Sequence, residues 1–307
     1  MNAFSIMGEG LQFPEGPVAM EDGSVLVVEI KARQVTRIAP DGTKSVVAHL
    51  KGAPNGAAFG PDGALYLCNN GDGFLWGAPE GVVQPVGASP TYCGGSIDRL
   101  DIETGEVTEL YREIEGRPLL MPNDIVFDRE GGLYFTDHGM REERGLRHGG
   151  AYYAKADGSF AREIVFPIST ANGIGLSPDE KRLYVADTET GRLYAFEITA
   201  PGQVTPLRHD RPGECVLAQI EGFKRYDSLA VEAGGNICVA GLTPGCITVI
   251  SPAGKQVEVI EMPDPFPTNI CFGGPDMRTA YITLSGTGKL IRMTWPRPGL
   301  RLNFQRF

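Results

Sequence analysis

The sequence predicts an all-β chain folded as a six-bladed β-propeller with four antiparallel strands per blade. Three observations predict it: a pattern that recurs six times, a hairpin-like segment after each copy, and the absence of any sustained 3.6-residue apolar period. The six copies share a turn with a small or acidic polar residue, an apolar-x-apolar triplet, a Gly/Asp turn and an apolar strand. They are FPEGPVAMEDGSVLVVE (13–29), APNGAAFGPDGALYLCN (53–69), MPNDIVFDREGGLYFTD (121–137), TANGIGLSPDEKRLYVAD (170–187), RYDSLAVEAGGNICVAG (225–241) and FPTNICFGGPDMRTAYIT (266–283). Equivalent positions, Glu15, Asn55, Asn123, Asn172, Asp227 and Thr268, are spaced by 40, 68, 49, 55 and 41 residues.

Each element has a local cause. The hairpins VTRIAPDGTKSVVA, IDRLDIETGEVTELY, AYYAKADGSFAREIV, RLYAFEITAPGQVTPL, CITVISPAGKQVEVIE and KLIRMTWPRPGLRLNF place alternating or apolar runs around Gly or Pro turns. Two strands from each copy and two from each hairpin make four per repeat, the content of a propeller blade. The chain is expected to be a single propeller domain over 1–307. Its N-terminal residues are expected to pair with the blade that holds the C-terminus. The long 68-residue spacing contains GDGFLWGAPEGVVQPVGASPTYCGG, read as a loop or extra hairpin, and GMREERGLRHGG (139–150) is a second irregular stretch. Both are candidate pocket walls, because surface loops carry function disproportionately.

Composition narrows the partners. Of 307 residues 42% are hydrophobic and 21% charged, too apolar for a disordered chain, and 41 glycines and 23 prolines follow no three-residue period. No run approaches the roughly 18 apolar residues of a membrane span, and the first sixteen residues lack a basic or long apolar leader region, so a cytoplasmic protein is expected. The net charge of −10, without blocks of like charge, argues against nucleic acid or an anionic membrane as partner. Cys68, Cys93, Cys215, Cys238, Cys246 and Cys271 show no CxxC pair and read as buried reduced thiols. Oligomeric state is not legible.

In a propeller the first strand of each blade lines the central channel, so the six equivalent positions should form one ring. Two carboxylates, three amides and a hydroxyl are oxygen donors suited to a hard dication, best Ca²⁺. Mn²⁺ and Fe²⁺ are compatible with the same donors, and Zn²⁺ less so, since it favours His and Cys. The competing reading is that Asn, Asp and Gly after Pro are ordinary turn formers. Recurrence in register at all six copies favours the ring.

FPEGP, PNG followed by DGALYLCNNGD, PNDIVFDREGGLYFTD, ANGIGLSPDEKRLYVADT and YDSLAVEAGGNICVA together resemble the SMP-30/gluconolactonase/luciferin-regenerating-enzyme family from about residue 13 to 290. The resemblance implies a six-bladed propeller that holds a divalent metal, often calcium, and hydrolyses lactones. It implies metal ligands at Glu15, Asn123, Asn172 and Asp227. Mammalian-type sugar lactonases of that family have a substrate-contacting arginine two residues before the third-repeat asparagine. Met121 stands there in this chain, while Pro122 matches the bacterial gluconolactonase-like form.

Lactone hydrolysis is therefore the expected activity, with the metal polarising the carbonyl and Asp227 taking the proton of the attacking water or orienting it. A carboxylate bound to a dication is a weakened base, so the metal itself is the alternative source of the nucleophile. Asn55 and Asp124 are expected to contact substrate or support the ligands, and Met121 takes the substrate-contact position. His138 is a candidate polar contact, against the reading of a solvated strand end. His49, His148 and His209 lack metal spacing, and Arg141, Arg144 and Arg147 alternate with Glu142 and Glu143 as in a solvated loop. No GxSxG or GxxxxGK[ST] occurs. Organophosphate hydrolysis on the same ligands and a non-catalytic calcium-binding propeller are the alternatives.

Overall fold

The computed structural model describes residues 4–306 apart from 209, 212 and 223; His209 thus lies outside the described residues. Six sheets follow one another along the chain as blades. Blade 1 comprises Pro14–Ala19, Val25–Glu29, Gln34–Ile38 and Lys44–His49 in that order. Blades 2, 3 and 5 repeat the plan from inner strands Pro54–Phe59, Pro122–Phe127 and Arg225–Val231. The inner strands touch in a closed cycle, from blade 1 through blade 6 and back to blade 1. Among the described residues, helix is confined to the 3-10 turn Pro79–Gly81.

Two blades depart from the hairpin expectation. In blade 6 the inner strand Pro267–Gly273 is followed by Thr279–Leu284 and Lys289–Thr294, and the outermost strand is Phe4–Glu9, paired antiparallel to Lys289–Thr294. The N-terminal residues pair as expected, but WPRPGLRLNF forms no second hairpin arm, for Pro296 and Pro298 lack the N–H groups a ladder requires. In blade 4, which starts at Ala171–Leu176, Gln203–Val204 pairs only with the far end of Arg192–Ala200, and Val216–Ala218 supplies the outer pairing at Leu193 and Tyr194.

Packing follows from period-two alternation. In the run VLVVE of blade 1, Val25 and Val27 join the cluster shared with blade 6, and Leu26 and Val28 join the one shared with blade 2. Such a strand is buried on both faces and reads as a continuous apolar run. Clusters of the same kind fill the junctions of blades 2 with 3, 3 with 4, 4 with 5, and 5 with 6. The six cysteines are unpaired; Cys68, Cys215, Cys238 and Cys246 are buried as expected, whereas Cys93 and Cys271 are only half-buried. No helix among the described residues is long and apolar enough to cross a membrane.

Both irregular stretches are hairpins inserted between the second and third strands of a blade. Phe74–Gly77 pairs with Gln84–Ala88 in blade 2, and Met140–Glu142 with Gly145–Arg147 in blade 3. The first arches over neighbouring blades. Trp76 packs on Phe13 of blade 1 at 4.8 Å between ring centroids, and Val83 N donates to Gly286 O of blade 6 at 2.9 Å.

Candidate metal centre

All six inner strands break register with their neighbours at the same place. The shifts lie between Glu15 and Val18, Pro54 and Ala57, Pro122 and Ile125, Ala171 and Ile174, Tyr226 and Leu229, and Pro267 and Asn269. A β-bulge adds a residue to one strand and re-aims its side chain. Here each bulge holds or adjoins the recurring polar residue, and Glu15, Asn55, Asn123, Asn172, Asp227 and Thr268 line one cavity of about 150 Å³.

The residue after each polar position explains the Gly in EGP, PNG and ANG. A Cβ on Gly16 would lie 2.6 Å from Asn55 O, one on Gly56 2.5 Å from Asn123 O, and one on Gly173 2.7 Å from Asp227 O. Only glycine lets neighbouring inner strands approach this closely. Where glycine is absent, the side chain joins the blades instead. Asp124 Oδ2 accepts from Ile174 N at 3.2 Å, and Asn269 Nδ2 donates to Glu15 Oε2 at 2.7 Å.

The donor atoms divide into anchored and free. Glu15 Oε2 accepts from Asn269 and from Gly16 N, leaving Oε1 buried without a hydrogen-bond partner. Asn123 Oδ1 is likewise buried and unpartnered. Asn172 Nδ2 donates to Thr188 Oγ1 at 3.1 Å, which orients its carboxamide, and Thr268 Oγ1 lies 2.9 Å from Thr283 Oγ1. A buried acceptor without a donor is costly unless something else meets it.

Electrostatics agree with that division. Burial, then the charge of Asp227, push the Glu15 carboxyl well above its usual range, against the hydrogen bond from Asn269. Burial pushes Asp227 up to about 7, partly offset by the Asn172 amide and the Arg225 cation. Asp124 is also raised to about 7 by burial. Three buried carboxyls in one region repel one another, and a dication would relieve the repulsion. Among the described residues no group of three or more His, Cys, Asp or Glu side chains is placed to hold a metal. Unpartnered carboxylate and amide oxygens on one cavity fit calcium chemistry.

Of the other expected contacts, Asn55 and His138 line the cavity, whereas Asp124 and Met121 do not. Asp124 is satisfied behind the ring by Ile125 N and Ile174 N and contributes to a second cavity on the far side. Met121 is buried, its N–H donating to Asp137 Oδ1 at 2.9 Å, and its thioether lies against Gly73. His138 is half-buried rather than solvated, and burial lowers it to about 4, so the imidazole is neutral near pH 7. Arg141 is exposed, as the solvated reading expected, and it ion-pairs with Glu189 at 2.9 Å. Arg225, singled out by no motif, also lines the cavity. Its signal was its place two residues before Asp227, on the same face of a period-two strand.

Comparisons with known proteins agree with this architecture. The chain is 28% identical over 261 residues to lactonase drp35 of Staphylococcus haemolyticus, covering 84% of this chain and 72% of that protein. A gluconolactonase structure from Xanthomonas campestris superposes with a TM-score of 0.74 at 23% identity, covering 95% of this chain and 89% of that one. Regucalcin of Agrobacterium tumefaciens, a calcium-binding protein, gives 0.73 at 20% identity over 98% of both chains. The sequence profile of the SMP-30/Gluconolactonase/LRE-like region matches residues 13–286, and the chain belongs to that family.

Proposed function

We propose that this protein is a lactonase, hydrolysing a small lactone to its hydroxy acid with a divalent metal, best Ca²⁺, held by Glu15, Asn123, Asn172 and Asp227. The observation that carries the reading is the pair of buried, unpartnered oxygens, Glu15 Oε1 and Asn123 Oδ1, on a cavity lined by all six repeat-equivalent residues. The lactonase drp35 likeness supports the reaction class. A bound dication supplies Lewis acidity toward an ester carbonyl and stabilises developing negative charge.

The chain's own groups divide the remaining work. Glu15 is fixed by Asn269 and Gly16, so its free oxygen is pre-oriented. Asp227 is placed to accept the proton of an attacking water or to orient it; burial raises its carboxyl to about 7 in the metal-free protein, and a bound dication would lower it, which favours the orienting role once metal is held. His138, neutral near pH 7, can donate or accept one hydrogen bond at the rim without adding charge. Phe13, Phe74 and Phe266 form an apolar wall that displaces water from an entering ring.

The test is a pH-stat screen of sugar, aliphatic and aromatic lactones on chelator-treated protein, with each divalent metal added back and an organophosphate assayed alongside. Hydrolysis of at least one lactone restored by calcium is expected. No turnover with any metal would overturn the enzymatic reading.

A further inference from the structure

Beyond the ring residues, the three phenylalanines of the cavity come from consecutive blades 6, 1 and 2, as Phe266, Phe13 and Phe74, beside Gln84, whereas blades 3, 4 and 5 supply His138, Thr188 and Arg225, beside Leu242. Arg225 is the cationic member of this lining, for His138 is neutral near pH 7.

Its charge is not fully compensated. Glu189 Oε1 accepts from Arg225 at 3.2 Å and from Arg141 at 2.9 Å, so one carboxylate serves two guanidinium groups. Asp137 and Asp187 are outside the lining, although the Asp187 charge is felt at His138. Asp137 accepts from the backbone N–H groups of Leu120, Met121 and Gly139, and Asp187 from Thr170 and Thr190. Arg225 therefore lines the cavity while sharing its carboxylate partner with Arg141. Arg225 is half-exposed, and its fork can take a second carboxylate beside Glu189. It sits two residues from Asp227, a rise of about 6.6 Å along a strand. That reach separates an anionic substituent from a carbonyl placed at the ring.

Resting on the lactone-hydrolysis reading, we infer that Arg225 is the specificity residue of this site and selects lactones carrying a carboxylate substituent on an otherwise apolar body. A polyhydroxylated lactone would leave three phenylalanines facing hydroxyl groups and the Arg225 fork without a second carboxylate. An apolar lactone with one carboxylate satisfies both walls.

The test compares a carboxymethyl-substituted γ-lactone with its methyl ester, using calcium-loaded wild type and the Arg225→Gln, Arg225→Lys and Glu189→Gln variants. One charge-assisted contact is worth about 10- to 100-fold. Wild type should prefer the acid by that factor in kcat/KM. Arg225→Gln should abolish the acid-over-ester preference through KM whatever it does to the ester rate through Asp227, Arg225→Lys should recover part of the preference, and Glu189→Gln should lower KM for the acid. Equal losses on acid and ester, or no preference in wild type, would overturn the inference. If wild type hydrolyses neither compound nor any other lactone, the hydrolytic reading falls by itself. Calorimetry with the ring-opened hydroxy dicarboxylate then decides about Arg225: binding weakened at least 10-fold by Arg225→Gln sustains its role, and equal binding overturns it. Matching melting temperatures among the variants show that the fold is retained.

Discussion

The two ends of the central channel are built from the same six strands and differ in chemistry. Above the bulges the lining is oxygen-rich, with Glu15, Asn123, Asn172 and Asp227 on one cavity of about 150 Å³. Below them the strands present Val18, Val126, Leu176, Val231 and Phe272 to a cavity of about 80 Å³, closed by Leu300, Leu302, Asn303 and Gln305 near the C-terminus. Asn303 Nδ2 donates to Phe127 O at 3.0 Å and Gln305 Nε2 to Phe272 O at 3.0 Å, which fastens the closure to two inner strands. One register break per blade separates a polar end from an apolar one.

The sharpest way to break the comparison is to neutralise the upper end. On the proposed roles of Asp227, Asp227→Asn removes a water-directed carboxylate and a ligand charge and should lower kcat/KM for lactone hydrolysis by about 10³-fold or more. The fold should persist, and the metal-free variant should melt no lower than wild type, since the lost charge was unfavourably buried. Full activity in this variant would remove Asp227 from the mechanism.

Metal and pH test the same end jointly. With folded values raised to about 7 for Asp227 and Asp124, and Glu15 also raised, these groups favour the folded metal-free state at low pH. That contribution is complete below the unfolded carboxyl values and is lost as pH rises through about 7. Calcium requires the deprotonated carboxylates, so it should raise the melting temperature more at pH 8 than at pH 5.5. Scanning fluorimetry with calcium and with chelator measures this. An equal gain at both values would dissociate the carboxyls from metal binding.

Smaller effects mark the boundary between the ends. Gly56→Ala would push a methyl to 2.5 Å from Asn123 O, and should cost about 1–3 kcal/mol in denaturant unfolding as well as weaken calcium binding. At the lower end Phe304 packs edge-on to Phe127 at 6.0 Å between centroids. Phe304→Ala should cost about 1–2 kcal/mol in stability and leave kcat/KM within about twofold. A large catalytic loss from Phe304→Ala would mean that the two ends communicate.

Much of this arrangement was legible because the recurrence is local. Each copy carries its turn, its polar residue and its two-sided apolar strand within about 17 residues, so number of blades and identity of the ring could be read without tertiary information. What escaped detection depends on contacts between distant residues. Arg225 gains meaning only beside Glu189 and Arg141, which come from blades 4 and 3. The outer strand of blade 4 could not be placed because Gln203–Val204 and Val216–Ala218 are both short and compete for the same neighbour. Asp124 sits one residue from Asn123, and the bulge sends the two side chains to different cavities. Strict alternation without the bulge cannot predict that separation.

The pairing of Phe4–Glu9 with Lys289–Thr294 has a consequence for synthesis of the chain. Phe4–Glu9 finds its neighbour only after some 280 further residues have been made, so this pairing cannot form blade by blade during translation. Until that final zippering, the first and last blades each display an open face. Closure of the sixth blade therefore depends on contacts of the longest sequence separation in the fold, and its formation should be the slow step in refolding.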